Sequence, residues 1–335
     1  MIELGFTFVA QVMANQDQGQ VRVGQQALLH DVGVLLVQGA GALIHQQDAA
    51  VMDQILAALI YLPRIFFSSG TPSRASDDAY CSAKPADGPS YSLMPEQAQN
   101  AELIANIAIN RGLPDHAATV AIATAMQESR ITNLSYGDLD SIGLFQQRPS
   151  QGWGTVEQVS DMTYATNIFY DHLMQVPDWE TIPIEDAAQE VQRSGYPDLY
   201  ATWDAMAHAW AAGLTGEFGA TISCALEPAT SSDADGLIAA LPVAYPSVTA
   251  ATAPATAEGN GNNSSNGTTI TVALPDGLSA DDHNRLCWQV MGWLVTHARQ
   301  YGIDALHANG MDWNRKDGVW TGNETVEQTI TVTLV

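Results

Sequence analysis

Thr124-Ala-Met-Gln-Glu-Ser-Arg130 is followed, fifteen positions after Glu128, by Gly143-Leu-Phe-Gln-Gln-Arg-Pro-Ser-Gln-Gly-Trp-Gly154. The first string closes an alanine-rich pattern that Pro114 and Asp115 open, with small and apolar residues at i, i+3 and i+4 through Met126. Glu128 therefore belongs to the last turn of a helix, at the negative end of the helix dipole and among Ala, Val and Met neighbours. Both conditions disfavour the ionised carboxylate, so this carboxyl group is suited to carry a proton near neutral pH. The second string reads as a tight turn. Gly143, Gly152 and Gly154 permit unusual backbone geometry, Gln146 and Gln147 are neutral hydrogen-bonding groups, and Trp153 offers an apolar face. A lone Glu at a helix end is ordinarily a solvated side chain; it is this company that gives Glu128 a chemical reading.

Outward from these strings the pattern stays helical. Pro95 opens a helix that ends near Gly112, and Met162–Met174, Ile184–Arg193 and Leu199–Leu214 read as three more. Cys81 and Cys224 bracket this stretch, whereas Cys287 lies in an apolar helix-like run and reads as a buried thiol. No CxxC or Cys/His spacing suits a zinc ion. Ser68-Ser-Gly-Thr-Pro-Ser-Arg-Ala-Ser76 is a breaker, and Thr249–Thr268 is of linker composition. Beyond it Thr269–Leu274 and Thr329–Val335 alternate like strands around an amphipathic helix at Leu286–Tyr301, with Trp288, Trp293, Trp313 and Trp320 available to a core. The resulting division is an N-terminal segment 1–78, a helical domain 79–226, a linker 227–268 and a small α/β unit 269–335. The expected fold class is mainly α.

The chain has 335 residues, with 12 Lys and Arg against 37 Asp and Glu, a net charge of −25. Such a balance excludes nucleic acid as a partner, because phosphate binding needs clustered cations. Between Cys81 and Cys224 the cations are Lys84, Arg111, Arg130, Arg148 and Arg193, and the last three fall inside motif strings. Near the N-terminus Val34–Ile44 and Ile55–Leu62 are apolar runs of 11 and 8 residues. Both are shorter than the ~18 residues of a spanning helix.

The Glu-Ser step followed by a Gly-Leu-aromatic-Gln turn resembles lysozyme-like lytic transglycosylases and goose-type lysozymes. The run from about 97 to 224 is similar in particular to the transglycosylase-like domain of secreted or membrane-attached cell-wall proteins of high-GC Gram-positive bacteria. The strings Gln127-Glu-Ser-Arg130, Asp140-Ser-Ile-Gly-Leu-Phe-Gln-Gln-Arg-Pro-Ser-Gln-Gly-Trp-Gly154 and Val191-Gln-Arg-Ser194 carry that resemblance. It implies a helical lysozyme-like domain that cleaves the MurNAc–GlcNAc bond of peptidoglycan, with Glu128 as general acid. Ser129, Gln146, Gln147, Arg148, Trp153, Gln192 and Tyr196 would then form the substrate-binding set. Goose-type lysozymes position a water with an acidic residue just before the turn; Asp138 or Asp140 occupies that place, and without it the substrate's own 6-hydroxyl attacks and gives an anhydro-sugar.

Two departures from the family pattern stand out. Met162 replaces the usual Pro of the helix after the turn, and Ala188-Gln-Glu-Val-Gln192 replaces an Ala-Tyr-Asn-Ala-Gly string. The tyrosine that contacts the acid in that string is therefore missing, leaving Gln192, Ser194 or Tyr196 to stand in. No metal or nucleotide cofactor is implied. The resemblance adds an expectation of membrane attachment through the N-terminal segment and an extracytoplasmic, wall-facing location; the C-terminal unit's partner stays unspecified. A catalytically weak wall-binding or scaffolding protein is the alternative reading. The positions of Cys81 and Cys224, just outside the first and last helices with no thiol between them, predict a disulfide and an oxidising compartment.

Overall fold

The computed structural model describes residues 79–253, 267–323 and 329–335. The apolar runs at 34–44 and 55–62 lie outside them. Among the described residues no helix is long and apolar enough to cross a membrane.

Three short strands, β1 (Tyr80–Ala83), β2 (Tyr91–Leu93) and β3 (Ile222–Ala225), form an antiparallel sheet in the order β2-β1-β3. Between β2 and β3 run the helices α1 (Pro95–Asn110), α2 (Asp115–Ser129), α3 (Val156–Ser160), α4 (Met162–Leu173), α5 (Ile184–Gln192) and α6 (Asp204–Leu214). α2 is the central one, packed against α1, α4, α5 and α6. Every residue from Ala117 to Ala125 on it is buried. A helix surrounded on all sides must be apolar all round, and five alanines within that span let its neighbours approach closely. This is why the α2 pattern shows little amphipathic contrast.

The helices expected between Pro95 and Arg193 appear close to their predicted bounds, whereas Leu199–Leu214 divides into a 3₁₀ segment, Pro197–Trp203, followed by α6, and Leu286–Tyr301 is Ala280–Thr296 plus the short Ala298–Tyr301. Cys81 and Cys224 sit opposite each other in the β1–β3 register and are joined by a disulfide. The bond ties the two ends of the helical stretch across a separation of 143 residues and fits an oxidising, extracytoplasmic setting.

After β3 the chain forms α7 (Ala234–Ala244), β4 (Thr249–Thr252), β5 (Thr269–Ala273), α8 (Ala280–Thr296), α9 (Ala298–Tyr301), β6 (Ile303–Ala308), β7 (Met311–Asn314), β8 (Trp320–Gly322) and β9 (Thr329–Leu334). All six strands pair antiparallel in the order β4-β5-β9-β6-β7-β8. Ile270, Val272, Leu306, Trp313, Ile330 and Val332 form its buried side. Its α8 packs on α1, α6 and β3.

The mainly-α expectation is therefore wrong: the described residues are 46% helix and 18% strand, with a six-stranded and a three-stranded sheet. The stretch 227–268 is likewise more than linker, since it carries α7 and β4. Contacts across the seam are specific. Trp320 Nε1 donates to the Ile222 carbonyl at 2.8 Å, Gln289 Nε2 to the Thr215 carbonyl at 2.9 Å, and Arg285 pairs with Asp115. Cys287 is a buried free thiol, its pKa pushed up to about 12 by burial.

Candidate active site

Glu128 lies one residue from the C-terminus of α2, where Arg130 caps the helix in a left-handed conformation (φ 58°). The Tyr200 hydroxyl donates to Glu128 Oε1 at 2.6 Å. The Gln192 amide is a second hydrogen-bonding neighbour of the carboxyl group. Burial raises the Glu128 pKa, and the hydrogen bonds from Tyr200 and Gln192 oppose that rise without cancelling it. Tyr200 is fully buried. Its own pKa is driven far up, first by burial and then by the adjacent Glu128, so it remains a hydrogen-bond donor.

The Gln turn is fastened to the acid's helix. Ser129 Oγ donates to the Leu144 carbonyl at 2.6 Å, lies 3.1 Å from the Ala125 carbonyl, and accepts from the Thr132 amide at 3.2 Å. Gly143 N donates to the Leu134 carbonyl at 2.6 Å and Ile142 N to the Gln147 carbonyl at 3.1 Å, which closes the turn. Gly143 has φ +82°, and a Cβ there would collide with the Val159 carbonyl, so glycine is required on both counts. The turn is also clamped to α5, because Gln192 Nε2 donates to the Phe145 carbonyl at 2.8 Å.

Positive φ values gather around this site: Arg130, Ile131, Leu139, Gln146 and Arg193 are all left-handed. Ile131 is β-branched, for which the conformation is a true outlier. It is held by Ile131 N donating to Ala125 O at 3.0 Å and by Asn100 Nδ2 donating to its carbonyl at 2.9 Å. Strain of this kind persists only where the surroundings over-determine the backbone.

A cleft of about 540 Å³ is lined in part by Gln146, Arg148, Trp153, His172, Gln192 and Arg193; Glu128 is not in its lining and meets it through Gln192. Gln192 belongs to both the cleft and the Glu128 carboxyl. The Trp153 ring lies on His172 with ring centroids 4.4 Å apart. Gln146 keeps its amide near the rim, where Nε2 donates to the Tyr136 and Gly143 carbonyls at 3.2 Å each.

Other members of the predicted set lie elsewhere or are already engaged. Gln147 is only 2% exposed and donates to the Ala165 carbonyl at 2.9 Å, facing the interior. Ser129, also buried, fastens the turn. Tyr196 is 71% exposed, on the loop after α5. Asp140 accepts from Arg148 Nε at 2.8 Å, from Ser150 N at 2.7 Å and from Ser150 Oγ at 2.9 Å. These contacts, led by Arg148, hold its carboxyl far below the usual range. Asp138 is exposed, and no described residue hydrogen-bonds to its carboxylate; its backbone carbonyl accepts from Ser141 N at 2.9 Å. No cluster of His, Cys, Asp and Glu among the described residues has the arrangement of a metal site.

Tyr200 was not foreseen. Of the expected contacts to the acid, Gln192, Ser194 or Tyr196, only Gln192 reaches the Glu128 carboxyl, and Tyr200 of the 3₁₀ segment joins it there. The same segment supplies Trp203, whose Nε1 donates to Gln127 Oε1 at 2.9 Å and whose ring lies under the Arg130 guanidinium at 4.5 Å. Pro197 opens this 3₁₀ segment, but no local pattern marks Tyr200 as a partner of Glu128. Comparison of the sequence with models of protein families and with curated proteins gives no match.

Proposed function

We propose that the protein cleaves the glycan strands of peptidoglycan at the MurNAc–GlcNAc linkage, with Glu128 as general acid. One observation carries the reading. The Glu128 carboxyl sits at a helix C-terminus with its pKa raised by burial, held by Tyr200 and beside the cleft residue Gln192. A carboxyl group poised in this way stays protonated at pH values where an exposed glutamate has ionised.

Tyr200 occupies Oε1, which leaves Oε2 to carry the transferable proton. That proton passes to the glycosidic oxygen as its bond to the MurNAc anomeric carbon breaks. The resulting Glu128 carboxylate is stabilised by the Tyr200 hydroxyl and the Gln192 amide. It then takes the proton from the sugar's 6-hydroxyl as that oxygen bonds to the anomeric carbon, closing an anhydro ring and restoring the protonated acid. Water is not consumed.

The intramolecular route is favoured because neither of the carboxylates just before the Gln turn is arranged to activate water. Asp140 is neutralised by Arg148, and nothing among the described residues orients Asp138. Trp153 and His172 would form the apolar floor of the cleft, with Gln146, Gln192 and the exposed Tyr196 as contacts to sugar substituents. The disulfide supports a wall-facing location.

The test is clearance of purified cell walls, followed by turbidity, with the wild type and with Glu128→Gln. The amide keeps the shape of the side chain and lacks the proton, so clearance slows by about 10²–10⁴-fold. Walls that the wild type binds but never clears would replace cleavage by a wall-binding role.

A further inference from the structure

We infer that Arg193 is a carboxylate-recognition residue, which makes the cleft selective for glycan strands bearing a negative charge beside the bond that breaks. This rests on the glycan-cleaving reading and adds the charge of the substrate to it.

The chain carries a net charge of −25, and the cleft is lined by two arginines, Arg148 and Arg193, together with the carboxylate of Glu190. A guanidinium not already held by a carboxylate attracts an anion that the rest of so acidic a surface repels. The two arginines are not equivalent. Arg148 is fixed by Asp140, so its charge is already balanced. Arg193 is exposed, and its guanidinium has no hydrogen bond or ion pair with any described residue. Its backbone caps α5 in a left-handed conformation (φ 51°), with Arg193 N donating to the Gln189 carbonyl at 2.7 Å. An unusual backbone conformation thus fixes the root of this side chain at the cleft. Its chain neighbour is Gln192, which hydrogen-bonds with Glu128. A carboxylate held by the guanidinium would therefore belong to the reacting sugar or to the first residues attached to it, and the planar fork suits bidentate carboxylate binding.

That carboxylate has two sources: the free lactyl group of a strand without stem peptides, or the acidic groups of the stem itself. Calorimetry on the full chain carrying Glu128→Gln distinguishes them with three ligands. These are neutral chitotetraose, a GlcNAc–MurNAc tetrasaccharide with free lactyl carboxylates, and the same tetrasaccharide with peptide stems. Expected is a preference of about 5- to 10-fold for at least one charged ligand over chitotetraose, as for a partly desolvated charge pair. Adding Arg193→Gln should abolish that preference and Arg193→Lys should retain part of it; Gln and Lys face the same left-handed backbone as Arg, so fold is not confounded. The charged ligand that is preferred identifies the source. Equal affinity for neutral and charged ligands with Arg193 intact overturns this proposal alone. Binding of none of the three overturns the glycan-cleaving reading together with it.

Discussion

Replacing Tyr200 by Phe removes one oxygen from the site and leaves the ring in place. The lost bond is short, 2.6 Å to Glu128 Oε1, and lies in a buried environment. A hydrogen bond to a group that becomes charged contributes about 1.5–3 kcal/mol. It matters most when Glu128 is a carboxylate, after the proton has left. The variant should therefore turn over about 10-fold or more slowly at neutral pH, since each 1.4 kcal/mol of barrier is tenfold in rate. It should also move the pH profile. Tyr200 now opposes the upward shift of the Glu128 pKa, so removing its hydroxyl sends that pKa higher. An acid works only while protonated, so the wild-type rate falls as pH rises through the raised pKa, and in Tyr200→Phe this alkaline limb moves to higher pH. Initial rates of wall clearance across mildly acid to alkaline pH read both effects. A slower variant whose alkaline limb is unmoved, or moves toward acid, would refute the role of Tyr200 on the acid and leave only a packing role.

Ser129→Ala should cost about 1–3 kcal/mol of stability, because the buried Leu144 carbonyl loses its donor. Denaturant midpoints measure this, and activity should fall as the Gln turn loosens; an unchanged midpoint would mean that the turn is held without it. Glu102 is buried where Tyr245 and α8 meet α1, its pKa raised by burial to about 8 and only partly lowered by the Tyr245 hydroxyl. The folded protein keeps that proton up to about pH 8, while the unfolded chain releases it near 4.5. Stability therefore falls as pH rises through this window, by a few kcal/mol at about 1.4 kcal/mol per unit. Glu102→Gln should flatten the dependence, which thermal melts at several pH values will detect, and an equally steep slope in the variant would assign it to other groups. Thiol titration of the denatured, unreduced protein should count one free cysteine, Cys287. Reduction of Cys81–Cys224 should lower stability by about 4–5 kcal/mol in the chain-entropy picture, and three reactive thiols before reduction would exclude the bond.

The parts of the site built from local pattern could be read from the chain. The position of Glu128 at a helix end follows from the Ala-rich periodicity of 115–126, and the turn from glycines at fixed offsets. Tyr200 could not be read that way, because it reaches Glu128 from 72 residues further along the chain, and only tertiary packing brings them together. The inward face of Gln147 was equally hidden: adjacent glutamines look alike until Gln146 takes a left-handed φ of 49° and turns the pair apart. On the fold, β5 and β9 announced themselves by alternation, Thr-Ile-Thr-Val in both. The hairpin between β6 and β7 carried a signal in Asn309-Gly310, both at positive φ, that should have marked a two-residue turn. α7 was masked by its flanks, Ser231-Ser232 and Pro246-Ser247, and by Pro242 inside its last turn. The mainly-α expectation failed for a different reason: short strands of both sheets are fixed by partners distant in sequence.

Mass spectrometry of the soluble fragments released from purified sacculi tests the central claim most directly. The account predicts that the wild type releases muropeptides ending in an anhydro-sugar, one water lighter than the hydrolytic product, and that Glu128→Gln releases essentially none. Release of the same fragments at the same rate by the variant, or none by the wild type, would contradict Glu128 as the acid of a glycan-cleaving enzyme.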